Sequence, residues 1–109
     1  MIDVLALAEE HLTLARASAH GRSAHTYLNE GTLRQAVIAL TAGTVLGDHE
    51  APPAGSLHVL LGRVRLVDDD GRTVEIGAGQ SAPIPQRRHS LEADQESVVI
   101  LTSVVNIGG

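Results

Sequence analysis

The chain changes its hydrophobic period once. Across residues 3–19 the apolar side chains Leu5, Ala8, Leu12, Ala15 and Ala19 recur at spacings of three and four, with Glu9 and Glu10 on the other face, and this predicts an amphipathic helix. Asp3 is placed to cap its start and Gly21 to end it. The stripe is alanine-rich and shallow, too thin to form a core alone, so the helix is expected to lie against a β wall or a second subunit.

After "HGR" the period is two. Ser23–Leu28 and Thr32–Thr41 read as strands around the turn residues "NEG", and residues 55–61 and 63–68 as strands flanking Gly62. "DDDG" at 68–71 is the strongest hairpin signal in the chain, and 72–76, "SAPIP", 89–93 and 97–105 follow with Gly, Pro and Asp between them. Short strands recurring about every 8–12 residues make an all-β barrel or sandwich, here preceded by one α-helix. In "SLHVLLGRVRLV", Leu57, Val59 and Leu61 alternate with Ser56, His58 and Leu60, and Val64 and Leu66 with Arg63 and Arg65, so one face is apolar and His58 faces outward. A bulge near "PPAG" would shift that register by one.

Composition narrows the function classes. A chain of 109 residues is one domain, long enough to bury roughly two thirds of its unfolded surface. With 13 acidic and 8 basic side chains and a net charge of −5, it carries no basic field for a nucleic-acid backbone. All the basic side chains are arginine and alanine is abundant, as in GC-rich bacterial genomes. The absence of cysteine excludes disulfides, thiolate metal sites and thiol nucleophiles. Asp3, Glu9, Glu10 and His11 interrupt the apolar amino terminus, which excludes a signal-peptide core or membrane span and makes a cytoplasmic protein the expectation. Tyr27 is the only aromatic residue, so any pocket is expected to be aliphatic-walled.

Two stretches separated by about thirty residues resemble the paired motifs of the cupin superfamily. In the first, a glycine, two histidines one apart, a glutamate and a second glycine become Gly43, His49, Ala51, Gly55 and Gly62; in the second, a glycine, a proline and a histidine become Gly79, Pro85 and His89, with the turn "QRR" one residue short and without its glycine. The resemblance covers roughly residues 32–105 and extends to very small bacterial single-domain cupins without an established activity. It implies a double-stranded β-helix, or jelly roll, with residues 1–21 as N-terminal helix and linker and 22–109 as the barrel.

The resemblance also implies where a metal would sit. Cupins of this kind hold iron, manganese, nickel or zinc with three histidines and one glutamate, and here only His49 and His89 remain at those positions, since Ala51 and Gly55 cannot coordinate. Asp48 and Glu50 flank His49 but alternate to the opposite face of a strand. No cofactor is therefore expected, with a divalent transition metal the disfavoured alternative. The imidazoles of His49 and His89 are expected at the barrel mouth, bonded to one another, to Gln86 or to water, or orienting a small anionic or apolar ligand above Leu57 and Val59.

Other constellations are weaker. Arg87 and Arg88 form either a solvated turn or an anion clamp at the rim. His11, His20 and His25 read as surface or interface residues. "GAGQ" at 77–80 precedes no helix that could bind phosphate, and neither Ser23 with His25 nor Ser90 with His89 has an orienting carboxylate. The expectation is thus a metal-free small cupin serving as a small-ligand-binding or interaction module, paired as a homodimer through the apolar helix face and the strand carrying His58 and Leu60. The alternatives are a metal-dependent oxygenase or isomerase acting on a small organic acid through His49 and His89, and a structural or regulatory partner without a pocket.

Overall fold

The computed structural model describes residues 1–49 and 51–106, leaving out the side chains at 48 and 49. Helix α1 (Val4–Ala17) is followed by nine strands: β1 (Arg22–Glu30), β2 (Leu33–Leu40), β3 (Val45–His49), β4 (Ala54–Leu61), β5 (Arg63–Asp68), β6 (Thr73–Gly77), β7 (Ser81–Pro83), β8 (His89–Ala93) and β9 (Ser97–Val104). They form a five-stranded sheet in the order β1-β2-β9-β4-β7 and a four-stranded sheet in the order β3-β8-β5-β6.

The pairing is nested. β5 and β6 form the innermost hairpin, and around it close β4·β7, then β3·β8, then β2·β9, all antiparallel. Because successive arms fall in alternate sheets, the ribbon rolls into a barrel of the jelly-roll type. Its apex is the "DDDG" turn. There Asp68 Oδ1 accepts the amides of Asp70 (2.9 Å) and Arg72 (3.0 Å), while Gly71 takes φ +81°, which a side-chain-bearing residue adopts only under strain.

Alternation builds two cores. Inward residues of both sheets, including Leu40, Val59, Val64, Ile76 and Val99, fill the space between the sheets. The intervening residues of the five-stranded sheet, Val37, Ala39, Val98 and Ile100, point the other way and meet Leu12 and Ala15 of α1. The helix therefore packs on the barrel wall, and burying Leu12 there contributes about 2 kcal/mol. Asp3 caps it as expected, Oδ1 accepting the Ala6 amide at 3.0 Å. An exposed double ion pair, Arg16 to Glu96, ties its last turn to the β8–β9 connection.

The structure departs from the sequence pattern in five places. On β4 a register shift between Val59 and Leu61 breaks the alternation, so Leu61 is exposed rather than inward. The helix ends at Ala17, with Ser18 extended, and Gly21 (φ +68°) sits in the following turn, where a Cβ would stand 2.4 Å from Thr41 Oγ1 and its carbonyl accepts the Thr41 amide at 2.8 Å. The buried stripe is rotated: Leu5 is exposed and Ala19 lies beyond the helix. His11 is buried instead, bonded through Nδ1 to Ser23 Oγ at 2.7 Å and stacked parallel to His25 at 5.8 Å, so it is not a surface residue; the serine hydroxyl makes its burial tolerable. Strand β3 carries no alternating signal in "VLGDH" and is held by its partner β8. The short β7 edge strand, by contrast, agrees with the restriction that Pro83 imposes.

Gly62 links β4 to β5 at φ +84°, where a Cβ would lie 2.3 Å from Glu96 O and from Ser97 Oγ. Gly62→Ala is expected to lower unfolding stability by about 2 kcal/mol or more in urea titration; a change under about 0.5 kcal/mol would contradict this packing. The hydrogen bond and charge of Arg16 hold the Glu96 carboxyl below its ordinary range. A depressed folded-state value stabilises above the unfolded value and is lost as pH falls through the folded one. Wild type should therefore melt above Glu96→Gln at neutral pH and converge with it in acid, and a gap that persists in strong acid would sink the tether.

Candidate functional site

A cavity of about 330 Å3 lies between the two sheets, open at one end. Its walls are aliphatic: Leu46, Leu57, Leu66, Ile84, Leu91 and Leu101 come from both sheets and from the segment before β8. Ala51 and Pro52, from the β3–β4 connection, and His89 and Ser103 also line it.

His89 opens β8, and three contacts fix the loop before it. The Arg87 guanidinium donates to Asp69 Oδ1 (2.7 Å) and Asp70 Oδ1 (2.8 Å) in the β5–β6 turn. The Asp69 amide donates to the Arg88 carbonyl at 3.0 Å. The third is the ring itself: His89 Nδ1 lies 2.9 Å from the Arg87 carbonyl. A carbonyl only accepts, so the proton sits on Nδ1, and Nε2 is the acceptor of the neutral ring. His89 is buried at 8% exposure. Position 49 stands directly opposite position 89 in the β3·β8 ladder, after a register shift between Leu46 and His49; the His49 side chain lies outside the described residues.

The remaining site residues separate. Leu57 lines the cavity. Val59, two residues further along β4, is fully buried in the core beneath it rather than in its wall. Gln86 follows Pro85 into the exposed rim loop and is not part of the lining. His58 is exposed on the outer face, as the alternation requires, with no shift of phase near "PPAG". Arg87 is no clamp for an external anion, because Asp69 and then Asp70 engage it and hold its guanidinium above its ordinary value. Leu60 is half-buried at the edge of a second, exposed groove beside α1, lined by Leu5, Leu12 and Leu61 among others.

The positions where the resemblance places metal ligands do not fit a metal among the described residues. Ala51 has no donor. At Gly55 an added Cβ would stand 2.9 Å from the Thr102 carbonyl and 3.2 Å from both Ile84 Cγ1 and Pro52 Cγ, so the wall is closed where a glutamate would have to start. The one cluster of three potential ligands among the described residues, Asp68, Asp69 and Asp70, lies outside the cavity and is engaged by the turn and by Arg87. Ser103 and the cavity's volume left no local mark in the sequence: both follow from sheet pairing.

No protein-family model matches the chain and no curated protein matches it. Solved structures do. A cupin-2 domain containing protein from Shewanella frigidimarina superposes with TM-score 0.69 at 14% identity, over 95% of this chain and 94% of that one. A conserved protein of unknown function from Streptococcus pyogenes gives TM-score 0.72 at 22% identity, over 84% of this chain and 80% of that one. A salicylate 1,2-dioxygenase from Pseudaminobacter salicylatoxidans gives TM-score 0.78 at 22% identity, over 91% of this chain but 33% of the enzyme, so the present chain spans about a third of its length.

The geometry generates a spectroscopic expectation. Long-range proton–nitrogen correlation spectra should show neutral His89 protonated at Nδ1 and bare at Nε2; the opposite tautomer would mean that the Arg87 carbonyl does not aim the ring.

Proposed function

We propose that this chain, a single barrel with the cupin fold, is a metal-free module that binds one small molecule between its sheets. The observation that carries the reading is the apolar cavity of about 330 Å3 with one buried imidazole at its mouth, while the wall at Gly55 leaves no space for a ligating side chain. Such a volume lies at the low end of small-molecule sites, which are mostly apolar and oriented by a few polar groups. The fold by itself does not choose among the functions cupins perform.

A second reading, a metal-dependent oxygenase or isomerase acting on a small organic acid, is favoured by one observation: positions 49 and 89 face each other across the β3·β8 ladder. The likeness to salicylate 1,2-dioxygenase accords with it. Against it stands the donor set, since a catalytic site needs about three protein ligands to fix an ion while leaving positions open. No helix among the described residues is long and apolar enough to cross a membrane.

Elemental analysis of tag-free protein separates the two readings. Iron, manganese, nickel and zinc should each be well below one equivalent per chain, and a full equivalent of any of them, lost in His89→Ala, would overturn the metal-free reading.

A further inference from the structure

Below its mouth the cavity is hydrocarbon throughout, and the sheet registers give the order. One inward step from Gly55↔Ser103 on β4·β9 stands Leu57↔Leu101, and one inward step from Asp68↔His89 on β5·β8 stands Leu66↔Leu91. Ile38 and Leu46 complete this belt from β2 and β3. A further step in, Val59↔Val99 and Val64↔Ala93 are buried and close the floor. The next inward residue of β9, Ser97, has its hydroxyl engaged by the backbone of Arg63 and Gln95.

The backbone offers a ligand nothing at that depth either. Strands β4, β5, β8 and β9 each lie between two neighbours, and Leu57, Leu66, Leu91 and Leu101 are each paired on both sides. Their amides and carbonyls are therefore engaged within the sheets. A hydroxyl, amine or carboxylate carried down to the belt would lose its water without gaining a partner among the described residues, at a cost of about tenfold in affinity or more for each group. A hydrocarbon group has the opposite balance. Water in the belt lacks the polar partners it needs, so such a space stays dry, and an apolar occupant supplies dispersion contacts that leucines facing a void do not have.

We infer, on the small-molecule reading of this barrel, that the occupant is held by a compact hydrocarbon body seated in the leucine belt, with every polar group confined to the end that reaches the mouth. At ~30 Å3 for each water-sized group, a cavity of about 330 Å3 admits a body of about ten non-hydrogen atoms. Sugars, nucleotides and other molecules that are polar along their whole length are excluded.

Calorimetric titration of the full chain with matched pairs tests it, each pair sharing a head group and differing in the body: hexanol with sorbitol, hexanoate with gluconate, hexylamine with glucamine. Methyl NMR of the leucines locates each probe. In every pair that binds, the hydrocarbon member should bind at least about tenfold more tightly. With the best head group, each added methylene should tighten binding about fourfold until the body reaches about ten non-hydrogen atoms. Leu101→Phe, which fills the belt, should weaken the best probe by about tenfold or more; if that variant fails to fold, perturbation of the Leu57 and Leu91 methyls in the wild type locates the site instead. A polyhydroxylated member binding as tightly as its hydrocarbon partner, at those same leucines, would overturn the hydrocarbon inference and leave the cavity reading standing. No binding by any probe, or binding that leaves these leucines unperturbed, would overturn both.

Discussion

The structure depends on a phase relation: along the nested ribbon, inward positions of both sheets must be apolar at the same time. Side chains alternate with period two, so a one-residue slip in any ladder would turn Leu57, Leu66 and Leu91 outward and bring Arg65 or Glu92 in. The outer face of the four-stranded sheet shows what such a slip would bury, since Arg65 there pairs with Glu92 and Asp94, and Arg63 with Glu75. The Asp68–Gly71 turn closes the innermost hairpin, in which the β5·β6 ladder runs without a shift. The same turn also supplies Asp69 and Asp70 to Arg87, so the residues that reverse the ribbon hold the loop from which His89 is presented.

What the sequence reveals and what it hides divide by range. The β5–β6 hairpin, the Asp3 cap, the outward His58 and the inward Leu57 are legible because turn chemistry and alternation are local. The paired motifs made the barrel itself recognisable. Strand β3 is not legible, because only β8 gives "VLGDH" a reason to be extended. Nor is the burial of His11, whose partner Ser23 lies twelve residues away across the helix–sheet interface. Nothing local in "QRRH" tells that the hairpin eighteen residues upstream engages Arg87, in place of either solvent or an anion. The separation of Gln86 and Val59 from the cavity follows the same logic: their sequence neighbours line it, but the rim turn carries one outward and the depth of β4 takes the other below.

The functional account follows from chemistry the wall lacks as much as from what it holds. The proposed small-molecule reading rests on leucine-rich walls, one buried imidazole bonded to a backbone carbonyl, and a glycine hemmed in by Thr102, Ile84 and Pro52. Aliphatic walls without aromatic rings give that enclosure shape and dispersion in place of stacking.

The most direct measurement is a crystal structure of the chain soaked with a small halogenated hydrocarbon, using the halogen's anomalous signal to locate the ligand. The account predicts the halogen between the two sheets, among Leu57, Leu66 and Leu101. A halogen peak only in the groove beside α1, or a metal peak at His89 in its place, would contradict it.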